Sequence, residues 1–306
     1  MLLLRRDYEL LSEEGALNED QQRYLMAGEQ AGSRFALAAP RRVPMGAGGV
    51  HLSSRSGSSL EFRDHREYQP GDDLRRIDWS AYGRTDKLIV KLYREEVSPH
   101  VDIVIDGSRS MTLESSAKLE AVLGLAALFA SAASNAGFSH CAWMAGDACL
   151  RIEGGTDRPS AWSPLNFDYT GNVDDSFARN RPAWRRQGMR VLISDLLWLG
   201  NPLLSLQSLS RDAAAVFVVQ VLAADDAAPQ TRGNQRLVDS ESGQVRELFI
   251  DASALARYKT SLERHQQNWR TACRQVGGTL VSVIAEDLVR DWAVDELVAA
   301  EILEVT

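Results

Sequence analysis

Cysteine is scarce in this 306-residue chain: Cys141, Cys149 and Cys273 are an odd set with no CxxC or CxH spacing. A disulfide framework and a zinc module are therefore excluded as organising elements, and buried free thiols in a reducing compartment are expected. The five histidines, His51, His65, His100, His140 and His265, form no recognisable pairing. No internal repeat, P-loop, GxGxxG, GxSxG or HExxH occurs. Long apolar runs are missing too. Met1-Leu2-Leu3-Leu4 gives way to Arg5, Arg6 and Asp7, and the stretch from Ala121 to Ala133 falls short of the roughly 20 residues a span needs. No signal peptide or membrane span is expected, and the cytoplasm is the default. Positive charge is in deficit, with 34 Lys and Arg against 42 Asp and Glu and a net charge of −8. No global field draws such a chain to nucleic acid or anionic lipid.

What is present suits a globular protein with a large core: 44% hydrophobic and 25% charged residues. Residues 7 to 38 show helical apolar spacing, ended by Pro40, Pro44 and the Gly46-Ala47-Gly48-Gly49 run. Residues 50 to 99 mix short strands with a turn at Pro70-Gly71, where Asp72 or Asp73 caps a short helix, and LIVKLY from Leu88 to Tyr93 reads as a strand. From residue 100 strands and helices alternate. Val101–Ile105, Met189–Ser194, Ala215–Leu222 and Leu280–Ile284 read as buried strands. Ser139 to Ile152 reads as two strands around Gly146-Asp147, and Gln235 to Ile250 as a hairpin turning at Ser242-Gly243. Helices are expected at Leu119–Ala136 (apolar on nearly all sides), near Leu203–Ala214, at Ala252–Val276, and from the end of the last strand to the end of the sequence. This alternation defines a doubly wound, mostly parallel α/β sheet.

Two of the buried strands run directly into an aspartate, Asp106 and Asp195. In open α/β sheets the carboxyl ends of the strands frame the ligand crevice. Two carboxylates there repel each other unless a cation or a cluster of donors lies between them. The first continues Asp106-Gly107-Ser108-Arg109-Ser110, a carboxylate with hydroxyls two and four residues on. Hard oxygens with few charges suit Mg2+ or Mn2+. The alternative is that Asp106, Ser108 and Ser110 merely form side-chain turns and cap the next helix.

DxSxS after the first strand, with a distal aspartate after a later one, resembles the metal-ion-dependent adhesion site of von Willebrand factor type A domains. The run from Leu60 to Trp79, LEFRDHREYQPGDDLRRIDW, continued by Arg84-Thr85 and KLYREE from Lys91, is more specific. It resembles the bacterial domain-of-unknown-function-58 family, whose members carry this signature before an A-like domain, and the resemblance covers roughly residues 45 to 300. It implies a von Willebrand factor type A-like (Rossmann-like) fold with an N-terminal α+β extension. The expected division is a helical segment at 1–44, a signature region at 45–99 and the A-like domain at 100–306.

Carried over by residue, Asp106, Ser108, Ser110 and Asp195 are the implied metal ligands. The usual middle-loop threonine aligns nearest to Gly171-Asn172-Val173-Asp174, which puts valine where the hydroxyl belongs and leaves Thr170 as the substitute. The resemblance implies a non-enzymatic protein-binding adaptor, often beside a MoxR-type AAA+ ATPase. Alternatives are a metal-dependent hydrolase, or an interaction protein with a degenerate metal site. In the signature, Arg63, Arg66, Asp72, Asp73, Arg75 and Trp79 form either an ion-pair network around a turn or a docking face for a partner. A tryptophan next to Ile77 and Asp78 reads first as core.

Overall fold

The computed structural model describes residues 3–4, 14–39, 60–70, 72–95, 99–113, 116–240 and 243–306. The chain forms two compact units, residues 44–98 and the remainder. In the larger unit the central-sheet strands are β1 (His100–Asp106), β2 (Ser139–Ala145), β3 (Cys149–Arg151), β4 (Met189–Ser194), β5 (Ala215–Leu222) and β6 (Thr279–Ile284). Its helices are α1 (Glu14–Gly32), α2 (Lys118–Asn135), α3 (Val173–Arg179), α4 (Pro202–Ser210), α5 (Ala224–Ala227), α6 (Ala252–Gln275), α7 (Ala285–Asp291) and α8 (Asp295–Ala299). The sheet order is β6-β5-β4-β1-β2-β3, parallel except for the edge strand β3, which runs antiparallel to β2.

Both faces of this sheet are covered, which is why its strands read as mainly apolar runs without regular polar alternation, the buried Asp102, Arg190 and Gln220 being the exceptions in β1, β4 and β5. Along β1, Val101, Ile103 and Ile105 join one core with α2, while Val104 joins the other with Leu206 of α4 and Trp269 of α6. Helix α2 is buried on nearly every side because α1 lies over the face turned away from the sheet. The side of α1 that does so carries Gln21, Leu25, Gly28 and Gly32, spaced as one helical stripe. Gln21 donates to and accepts from the Leu165 backbone, at 2.8 and 2.9 Å. The N-terminal helix thus packs into the larger unit, not as a segment apart. Of the expected span 7–38, residues 7–13 lie outside the described residues, and Phe35–Leu37 is a strand.

The end of the chain also differs from the expected continuous helix. It breaks into α7, α8 and the strand Leu303–Val305, which pairs antiparallel with Phe35–Leu37. The break is at Trp292, which caps α7 in the left-handed conformation at φ 55°. Its ring lies against Gly124 of α2, where a Cβ would sit 1.8 Å from the ring. Packing the indole against helix backbone outweighs continuing the helix. The hairpin forms from Gly233–Val238 and Val245–Ile250, Ser242 lying outside the described residues. The helix expected near Leu203–Ala214 ends at Ser210.

In the smaller unit, Leu60–Glu67 and Ile89–Glu95 pair as an antiparallel ribbon. Asp73 caps the 3-10 turn Leu74–Arg76, and Asp78 caps the helix Trp79–Thr85, accepting from the Ser80 and Ala81 amides.

The close approach at Gly124 is testable. Gly124→Ala overpacks the Trp292 contact and costs about 1–3 kcal/mol in urea or thermal melting. Gly146→Ala, whose Cβ meets nothing within 4 Å, leaves stability unchanged.

Candidate functional site

Strands β1 and β4 are neighbours in parallel register, Ile105 opposite Ile193, so Asp106 and the Ser194-Asp195 pair leave the sheet side by side. Both carboxylates are buried, at 2% and 3% exposure, so each needs donors. Asp106 accepts from the Ser194 hydroxyl at 2.5 Å and the Ser108 amide at 3.0 Å. Asp195 accepts from the Leu197 amide at 3.0 Å, and Gln220 holds its carbonyl at 3.0 Å. Burial, and next the negative charge of Asp195, push the Asp106 carboxyl up to about 6.

The Ser108 and Ser110 hydroxyls lie 3.0 Å apart. Backbone pairing aligns the DxSxS loop with Tyr169: the Arg109 amide donates to the Tyr169 carbonyl at 3.0 Å, and Ser108 bridges Tyr169 in parallel. Thr170, the next residue, thereby joins Ser110 and Asp195 in the wall of a cavity of about 330 Å3. Asp175, Trp198, Leu199 and Asp239 also line it. Asp106 and Ser108 are not part of that wall: the Ser108 hydroxyl bonds to the Ser110 hydroxyl, and Asp106 accepts from the Ser108 amide. Val173 does not take the place of the missing hydroxyl. It is fully buried at the start of α3, packed in the core with Phe177. Gly107 is favoured by close approach and not by its torsions, since a Cβ would meet Met144 Sδ at 3.0 Å and the Ala145 carbonyl at 3.1 Å.

One member of the site was not anticipated. Lys118, the first residue of α2, is wholly buried, with Nζ 2.8 Å from Asp195 Oδ2 and 2.7 Å from Asp226 Oδ2. Burial opposes its charge, but the two carboxylates together outweigh burial and raise its pKa above the ordinary lysine value. A signal for it existed. The N-terminus of a helix repels a cation, so a lysine opening an apolar helix calls for a buried anion nearby. Asp226, in an Ala-Ala-Asp-Asp-Ala-Ala run, reads as a surface acid and carried no signal.

The donor set offered to an ion is two carboxylates and three hydroxyls. Among the described residues no three His, Cys, Asp or Glu side chains converge as a metal cage. The oxygens are hard, and a 3.0 Å separation of two hydroxyls matches the edge of an octahedron with metal–oxygen bonds of about 2.1 Å. Hard oxygens of this kind are the class that Mg2+ and Mn2+ take, with several waters kept. The thiols take no part: burial pushes Cys141 up to about 11 and Cys273 to about 12, leaving both inert.

The signature residues lie in the smaller unit. Arg66 pairs with Asp72 at 2.7 Å and Arg75 with Asp73 at 3.2 Å. Asp78 binds His65 at 3.0 Å and Lys91 at 3.5 Å. Arg63 is in the Leu60–Glu67 strand, and its side chain lies outside the described residues. Trp79 is not core: it is 63% exposed, edge-on to Tyr82 at 6.1 Å, while Ile77 is buried.

The family described as "Protein of unknown function DUF58" matches residues 64–268, and the chain belongs to it. The uncharacterized proteins Mb1516 of Mycobacterium bovis and Rv1480 of Mycobacterium tuberculosis are each 30% identical to it over 265 residues, covering 81% of this chain and 80% of theirs. Among solved structures, BatB from Bacteroides thetaiotaomicron aligns at 13% identity and a TM-score of 0.33, covering 63% of this chain and 97% of that one. An aerotolerance-related membrane protein from Bacteroides fragilis aligns at 15% and 0.35, covering 66% and 99%. In this chain no helix among the described residues is long and apolar enough to cross a membrane.

Two outcomes are expected here. Because the folded pKa of Asp106 is raised from 3.8 to about 6, the folded state holds this proton more tightly than the unfolded one. The associated stability is full below about pH 4 and is lost as pH rises past about 6, on the order of 2–3 kcal/mol. Asp106→Asn removes that pH dependence, which melting curves from pH 4 to 8 in EDTA will show. In the smaller unit, Trp79→Ala changes stability by less than about 0.5 kcal/mol, as an exposed position should, whereas Asp78→Ala destabilises through loss of the cap.

Proposed function

We propose that this chain is a non-enzymatic adaptor that binds a protein partner through a divalent cation, Mg2+ or Mn2+, at Asp106, Ser108, Ser110, Thr170 and Asp195. The observation that carries the reading is the convergence of Ser110, Thr170 and Asp195 on one cavity at the carboxyl ends of adjacent parallel strands. A hard cation held there by few protein charges supplies an open coordination position that attracts a carboxylate. Ser108 and Ser110 present hydroxyl oxygens, Asp106 orders the loop through the Ser108 amide, and Leu199, 86% exposed beside the cavity, offers an apolar contact. The partner implied by the family resemblance is a MoxR-type AAA+ ATPase or a substrate it remodels, in the cytoplasm, with an acidic residue at the centre of the contact. The smaller unit supplies a second candidate surface around Leu74, Trp79 and Tyr82, all exposed.

The hydrolase alternative needs either a base at a serine nucleophile or a water activated by the metal. Among the described residues no histidine is hydrogen-bonded to Ser108 or Ser110, whose hydroxyls bond to each other. Hydrolysis of model esters or phosphoesters with added Mn2+ would favour it.

At about a hundredfold excess over its dissociation constant, Mg2+ or Mn2+ should add about 2.7 kcal/mol of stability, a melting shift of roughly five degrees for a chain of this size. Pull-down of the partner should be lost in EDTA and with Asp106→Ala combined with Asp195→Ala. A melting temperature indifferent to every divalent ion, with a partner retained in EDTA, overturns the metal reading and moves attention to the Trp79 surface.

A further inference from the structure

The ammonium of Lys118 is not a side chain that has folded into a gap. Each of its partners is fixed from another side: Asp195 by the Leu197 amide, and Asp226 by the Ala223 amide at 3.1 Å. A third anion ties down the backbone that carries them. Glu286 of α7 accepts from the Ala117 amide at 3.2 Å and from the Ala224 amide at 2.7 Å, joining the start of α2 to the start of α5. Lys118 also reaches the Ser110 carbonyl at 3.5 Å, so it touches both loops of the candidate cation site.

We propose that Lys118 is an internal competitor for that site: its ammonium holds Asp195 Oδ2 and thereby sets how weakly the chain binds a divalent cation. The inference rests on the metal reading above where the native chain is concerned. Its physical basis is that an ammonium sharing a carboxylate with a dication repels it strongly in a buried, weakly screened environment. It also occupies one of the two Asp195 oxygens. A cation admitted under those terms is held loosely by the protein and stays electrophilic toward a carboxylate from outside. Asp226 is part of the device, because by sharing the ammonium it loosens the hold of Lys118 on Asp195.

The test is calorimetric titration of the full chain with Mg2+ or Mn2+ alone. Lys118→Met combined with Asp226→Asn removes the competitor without stranding a buried charge at 226, and should bind the ion at least about tenfold more tightly than wild type. Asp226→Asn alone keeps the ammonium and gives it to Asp195 undivided, so it should bind several-fold more weakly. This second variant retains every group at the site and decides the question if the double variant fails to fold. A residue with only a structural role would not shift affinity in opposite directions in the two variants. Wild-type binding left unchanged or weakened in the double variant, or strengthened in Asp226→Asn, overturns the role of Lys118 while leaving the metal reading intact. Binding by the double variant with none by wild type supports Lys118 as the competitor and defeats the metal reading for the native chain. No binding by any of the three proteins overturns both.

Discussion

Two aspartates buried side by side at the ends of adjacent parallel strands set the terms for everything around them. A carboxylate 2% or 3% exposed loses most of its hydration, and its neighbour's charge adds to the cost. The response is local and specific. Asp106 takes a hydroxyl from Ser194 and an amide from its own loop, whereas Asp195 takes an amide and a lysine. Burial, and next the charge of Asp195, push the Asp106 carboxyl up to about 6, against the pull of its donors. Asp106 has neutral donors only, while the cation in the cluster lies against Asp195.

The scaffold makes this arrangement unavoidable. Register between β1 and β4 aligns the two strand ends, and the all-round burial of α2 brings its first residue, Lys118, into the same interior. That burial depends in turn on α1, whose glycine stripe lets its backbone approach α2 closely: a Cβ on Gly28 would sit 2.0 Å from the Gly124 carbonyl. The N-terminal helix therefore bears on the site although it contributes no residue to it. Cations at helix N-termini are unfavourable, and only the Asp195 and Asp226 pair makes Lys118 tolerable there.

Strands that are mainly apolar and run into Asp106 and Asp195 announced both the sheet and the carboxylates, because burial on two faces leaves a nearly continuous pattern in one dimension. Loop register left no such trace. Matching residues 171–174 to a Gly-Gly-Thr-Asp pattern put Val173 where the hydroxyl belongs and left Thr170 as the substitute; the pairing of Ser108 with Tyr169 brings Thr170 to the cavity wall, and Val173 lies in the core. That pairing is a tertiary event between segments about sixty residues apart. Trp79 failed for the opposite reason: its neighbours Ile77 and Asp78 are buried, and a short helix turned its ring outward to solvent. Interleaved charges in the signature did foretell ion pairs, because opposite charges a few residues apart around a turn meet whatever else the chain does, as Arg66 and Asp72 do.

Charge balance connects the cluster to the proposed partner chemistry. With Asp106 ionised, the buried carboxylates Asp106, Asp195 and Asp226 are accompanied by a single buried ammonium, which pairs with the last two, leaving two negative charges uncompensated. One divalent cation would neutralise them. A carboxylate arriving from a partner would then meet a neutral cluster with an electrophilic centre. Without the cation the same carboxylate would face Asp175, Asp195 and Asp239 in the cavity and be repelled. For the adaptor reading, the ion is thus more than an added contact. It would remove the net negative charge of the cluster that an acidic partner meets, and the internal lysine limits how firmly the ion is held.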